Sequence, residues 1–173
     1  HAALPLSILA TLVLAACSPA EKKTEAPAAS GATPAAAGNK KVAITAIVEH
    51  PALDAVRKGV LDELKAQGFE EGKNLTVDFQ SAQGSTANAA QIAKKFAGDN
   101  PDVIVAIATP SAQSVVAATK TIPVVYSAVT DPVAAKLVSS WEPSGTNVTG
   151  VSDELPLEPQ IDLMKKIVPT VKN

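Results

Sequence analysis

Thr109-Pro110-Ser111-Ala112 stands between an apolar run and an alanine- and valine-rich segment, with two hydroxyls where a helix would begin. The unpaired N–H groups of a first helical turn and the positive end of its dipole favour an anion, and a Thr or Ser hydroxyl adds a donor. A carboxylate suits that chemistry. Thr before Pro is also an ordinary helix start, in which Thr109 only caps its own helix. Ser127, Ala128, Thr130 and Asp131 follow the next apolar run. Asp131 could receive an ammonium, or cap the turn that Pro132 opens. Tyr126, the last residue of that run, offers either a surface for an aromatic ligand or a core side chain. Glu49, His50, Pro51 and Asp54 follow the first apolar run, Gln83 and Gly84 the second, and Ser152 and Asp153 the last. Together these groups suit a small polar or zwitterionic ligand better than catalysis.

Catalytic signatures are absent: the chain contains no GxGxxG, Walker loop, GxSxG or HExxH. A lone histidine at position 50 could do acid-base work, but no partner stands at motif spacing, so packing or binding is the better reading. Two histidines and one cysteine are too few for a zinc site, and neither metal nor cofactor is expected. A formal charge of -2 gives no basic footprint, which argues against nucleic acid as a partner.

The elements that must hold these loops follow from the apolar pattern. Lys41 to Val48, Asn74 to Gln80, Val103 to Ile107, Pro123 to Tyr126 and Asn147 to Val151 read as strands, the second nearer an edge. Between them, Leu53, Val56, Val60 and Leu64 mark one helix that ends at Gly68, and Ala89, Ile92, Ala93 and Phe96 mark another. Ser111 to Thr119 has helical composition, and Val133 to Ser139 reads as a weak helix. The alternation predicts an α/β fold with an open, doubly wound, mainly parallel sheet, in which ligands sit outside the carboxyl ends of the strands. Glu154 to Pro169 forms a last amphipathic helix with no sheet after it, as expected of a piece of a larger protein.

The first forty residues read as processing and tethering segments. Leu4 to Ala16 is an apolar run too short to span a bilayer and of the length of a signal-peptide core. No Met or basic stretch precedes it, so the sequence reads as truncated at its start. Leu14-Ala15-Ala16-Cys17 resembles the lipobox of bacterial lipoproteins, which implies cleavage before Cys17 and its lipidation. Ser18 to Asn39 is rich in Ala, Pro, Thr, Ser, Gly and Glu and buries too little to order, so residues 17–40 read as an anchored tether. The domain plan is therefore a signal peptide over 1–16, the tether, a ligand-binding lobe over 41–150, and a hinge crossing with one helix of a second lobe over 151–173.

Ile107-Ala108-Thr109-Pro110-Ser111-Ala112-Gln113, Ile122 to Pro132, Gly145 to Ser152 and Gln160 to Pro169 resemble the ABC transporter substrate-binding lipoprotein family that includes tryptophan- and tyrosine-binding proteins. The resemblance covers about residues 41 to 173. It implies one Rossmann-like lobe of a type I periplasmic binding protein, with most of the second lobe missing. It also implies a small-molecule ligand, delivery to an ABC permease, and residence in the cell envelope, lipid-anchored and facing the periplasm or exterior. An enzyme of flavodoxin-like architecture or a sensor lobe is the alternative. A glycine-rich phosphate loop after the first strand would mark the enzyme, and Glu49-His50-Pro51 stands there instead.

Overall fold

In a computed structural model describing residues 38–168, five strands alternate with helices along the chain. They are β1 (Lys40–Ala46), α1 (Pro51–Ala66), β2 (Leu75–Ser81), α2 (Thr86–Asp99), β3 (Val103–Ile107), α3 (Thr109–Ala118), β4 (Val124–Val129), β5 (Val148–Ser152) and α4 (Leu157–Ile167). The strands form one sheet in the order β2-β1-β3-β4-β5, and every neighbouring pair is parallel. A parallel sheet needs cover on both faces, which is why β1 and β3 are β-branched and apolar almost without a break. Val42, Ile44 and Ala46 of β1 belong to the face covered by α1, while Ala43 belongs to the face covered by α2 and α3.

Helices α1 and α2 pack on the sheet the stripes their spacing predicts. Leu53, Val56, Val60, Leu61 and Leu64 of α1 pack on Val42, Ile44, Val105 and Ile107. Ala89, Ile92, Ala93 and Phe96 of α2 lie with Ala112 and Val115 of α3 over Ile104, Ala106, Val124 and Tyr126. After α1, Gly68 adopts φ 89°, a left-handed conformation glycine takes without the steric cost a Cβ brings. β2 is an edge strand, as its alternation predicts. Arg57 of α1 covers its α1 side, with the guanidinium 4.0 Å from the Phe79 ring centroid.

Two expectations are corrected. Residues 133–139 are not a helix: Ala135 N–H donates to Asp131 O at 3.0 Å and Leu137 N–H to Pro132 O at 2.9 Å, and Lys136 at φ 59° breaks any helical continuation. Ser127 and Ala128 belong to β4, where the register with β5 shifts between Tyr126 and Val129, rather than to a loop. The signal peptide, Cys17 and almost all of the tether lie outside the described residues.

Candidate ligand-binding site

The strand order places the site. β1 leads to β2 on one side of it, and β2 then leads to β3 on the other, so the order reverses between β1 and β3. In open α/β sheets ligands occupy the crevice that such a reversal opens at the carboxyl ends of the strands. Ala46 pairs with Ile107 at the last rung of the β1–β3 ladder, so both exits begin at one height.

The three helices that connect one strand to the next, α1, α2 and α3, start at this edge, and the first two are closed by their own side chains. His50 Nδ1 accepts from Ala52 N–H at 3.2 Å at the start of α1, and Ser85 Oγ accepts from Asn88 N–H at 3.2 Å at the start of α2. The third, α3, has Ala108 in the capping position and no side-chain cap. Thr109 therefore does not cap its own helix. The N–H groups of Thr109 and Ser111 are left for a partner from outside, Pro110 having none to give. Ala112 N–H is already bound to Ala108 O at 3.1 Å. An open helix start beside the strand-order reversal offers N–H donors to a carboxylate.

Backbone strain gathers at the same edge. Ala108 is held at φ 73° and ψ 154°, a region that costs a residue with a Cβ about 1–3 kcal/mol. Ala128 at φ 53° lies in the β4 irregularity beside it, and Gln83 at φ 55° follows β2. Ala108 N–H donates to Ser127 O at 2.9 Å, which ties the two strained segments together. Sequence reasoning passed over Ala108. The available signal was a helix start lacking Ser, Thr, Asn or Asp before Thr-Pro.

Several candidates are turned elsewhere. Ser111 and Ala112 are fully buried against the sheet, so of this pair only the Ser111 N–H is left for a ligand. Ser111 Oγ and Thr45 Oγ1 are buried with no hydrogen-bond partner. The Tyr126 ring is 6% exposed and lies across Gly150, a core role rather than a stacking surface. Asp54 pairs with Arg57 at 3.4 Å on the flank of α1 that faces β2. Asp131 Oδ1 accepts from Val133 N–H at 3.0 Å and Ala134 N–H at 2.9 Å, capping its turn.

Thr130 and Ser152 lock the exit of β5 to that of β4. Ser152 Oγ donates to Thr130 O at 2.6 Å and accepts from Glu154 N–H at 2.9 Å, while Thr130 Oγ1 donates to Asp153 Oδ1 at 3.2 Å. Glu49, His50 and Gln83 are exposed at the edge, and Thr109, Pro110, Ser127 and Ala128 are half-buried there. Among the described residues no cluster of His, Cys, Asp and Glu could hold a metal ion, and no helix is long and apolar enough to cross a membrane.

A single sheet lobe with an uncapped helix start at its strand-order reversal has the means to hold a small anionic group in its crevice. Residues 41–173 match the family model of the ABC transporter substrate binding protein, and the chain belongs to that family. It is 45% identical over 133 residues to a tyrosine-binding protein of Clostridioides difficile, covering 77% of this chain and 39% of that protein. A solved conserved domain protein from Vibrio cholerae is 61% identical with a TM-score of 0.76, over 78% of this chain and 45% of that one. The ligand-free, open structure of a substrate-binding protein with adhesive properties from Clostridium difficile is 49% identical, TM-score 0.70, over 77% and 45%. An ABC domain in complex with L-Trp from Streptococcus pneumonia is 38% identical, TM-score 0.74, over 78% and 45%. The chain thus spans less than half the length of each of these relatives.

Proposed function

We propose that this chain is the first lobe of an extracytoplasmic solute-binding lipoprotein that takes up an aromatic amino acid and delivers it to an ABC permease. One observation carries the reading: of α1, α2 and α3, the helices that connect the strands from the carboxyl edge, only α3, which flanks the strand-order reversal opposite α1, is left open. Its Thr109 and Ser111 N–H groups receive the ligand carboxylate. The Glu49 carboxylate, exposed on the β1 exit, is the counterpart for the ammonium. A second lobe closes over the ligand, and the closed form is selected because it adds contacts the open form lacks. Relatives named for tyrosine and crystallised with L-Trp support an aromatic amino acid. Lipidation of Cys17 and the tether after it keep the receptor near its permease at the membrane surface.

Thermal-shift titration of the full-length protein, without its lipid anchor, tests this. L-tyrosine or L-tryptophan at about 100 times Kd adds roughly 2.7 kcal/mol of stability and raises the melting point saturably. Absence of a shift with any amino acid, or conversion of one into product, overturns the reading.

A further inference from the structure

The amino end of α1 is closed by an imidazole where a hydroxyl or carboxamide would serve. Ser, Thr, Asn and Asp are the usual caps, and Ser85 does that work on α2. Histidine brings a second nitrogen that the cap leaves unused. Nδ1 of His50 accepts from Ala52 N–H, which leaves Nε2 as the N–H of the ring. The residue is exposed, and no acceptor for Nε2 occurs among the described residues. The cap itself holds the ring: its backbone is extended at φ -149°, and its carbonyl accepts from Asp54 N–H at 2.8 Å.

The position of this fixed donor matters. Because Ala46 and Ile107 share a rung, the β1 exit carrying His50 and the β3 exit carrying Thr109 leave the sheet side by side. Their helices go to opposite faces, which opens the crevice between the two exits. We propose that His50 works with both nitrogens: Nδ1 caps α1, and Nε2–H donates to a carboxylate oxygen of the bound amino acid. The open start of α3 serves the other oxygen. This rests on the amino-acid reading above and adds a ligand contact from the β1 exit.

Substitution separates the two jobs, since Asn places an acceptor where Nδ1 is and Gln reaches only to where Nε2 is. The measurement is calorimetric affinity of full-length protein for L-tyrosine and L-tryptophan, alongside the melting point of each variant. His50→Asn keeps the wild-type melting point and binds about tenfold or more weakly, the loss expected for a hydrogen bond to a charged group. His50→Gln melts a few degrees lower and binds within a few-fold of wild type. His50→Ser, which also caps but cannot reach the ligand, repeats the Asn result if Asn perturbs the fold. Wild-type affinity in both capping variants shows a cap and nothing more, and overturns this inference while leaving the amino-acid reading intact. A wild-type protein that binds neither amino acid overturns both.

Discussion

Ala108 is the residue at which structure and function pull against each other. At φ 73° and ψ 154° its Cβ is strained, yet this conformation precedes the free N–H groups of Thr109 and Ser111. Glycine would occupy the same conformation without penalty. Ala108→Gly is therefore expected to stabilise the fold by about 1 kcal/mol, the relieved strain exceeding the entropy glycine gains in the unfolded chain. Affinity for the amino acid should fall, because a more flexible peptide no longer holds the donors in place. Denaturant titration and calorimetry read the two effects, and a variant that loses stability shows Ala108 to be unstrained. Gly150 makes the opposite case. A Cβ there would stand 2.2 Å from Tyr126 O and 2.5 Å from its ring, so the β5 backbone must lie bare beneath the aromatic face. Gly150→Ala forces the β4–β5 pair apart and should cost about 1–3 kcal/mol or more, read as a lower denaturation midpoint.

At the scale of elements, the strands were legible because a sheet buried on both faces demands continuous β-branched runs, and Val103–Ile107 is such a run. The α2 stripe was legible for the same reason, its buried face being the one its spacing marks. The turn after Asp131 was not, because its alanines and valine carry helical composition while a left-handed Lys136 ends any helix. Of the candidate site, the exits of β1 and β3 were legible from their place after each strand, whereas Ser127 and Ala128, expected in a loop, lie inside β4. Which side of the first α3 turn faces the sheet was not, so Ser111 and Ala112 looked open and are buried. Tyr126 was undecidable locally, since its partner Gly150 comes to it only through the β4–β5 register. The opposite edge of the sheet depends on Asp102, which binds Lys41 N–H at 2.8 Å and Lys40 Nζ at 3.2 Å. The Lys41 N–H, and then the Lys40 ammonium, hold its carboxyl below the usual carboxylate range. A depressed folded value means the stabilisation is full above the unfolded value, about 4, and is lost as pH falls through the folded one. Asp102→Asn should therefore be less stable than wild type at pH 7, with the difference shrinking as the solution is acidified below that value. Urea midpoints across that range check it, and a difference that does not change with pH would place the effect outside this carboxylate.

For the whole molecule, α4 sets the terms. Leu157 is 68% exposed, Met164 53% and Ile167 70%, and the helix buries no residue. These apolar groups fall on a stripe of an amphipathic helix, and such a stripe in water marks a surface meant for cover. The lobe that comes before it cannot supply that cover from its sheet, whose faces are served by α1 on one side and by α2 and α3 on the other. Solved relatives, of which this chain spans 45%, carry more chain than is present here. We propose that a second lobe covers this stripe, with α4 as the first helix of that lobe. Ile161, 40% exposed on that stripe, tests the idea. Ile161→Asp in the 173-residue chain alone should be neutral or favourable, lowering self-association because a charge interrupts an apolar patch. In the full-length protein the same charge is buried without a partner and should destabilise by several kcal/mol. Sedimentation of the short chain and thermal unfolding of the long one give the two readings. An unchanged melting point in the full-length protein would mean that α4 stays in water there too, and that the second lobe is built without it.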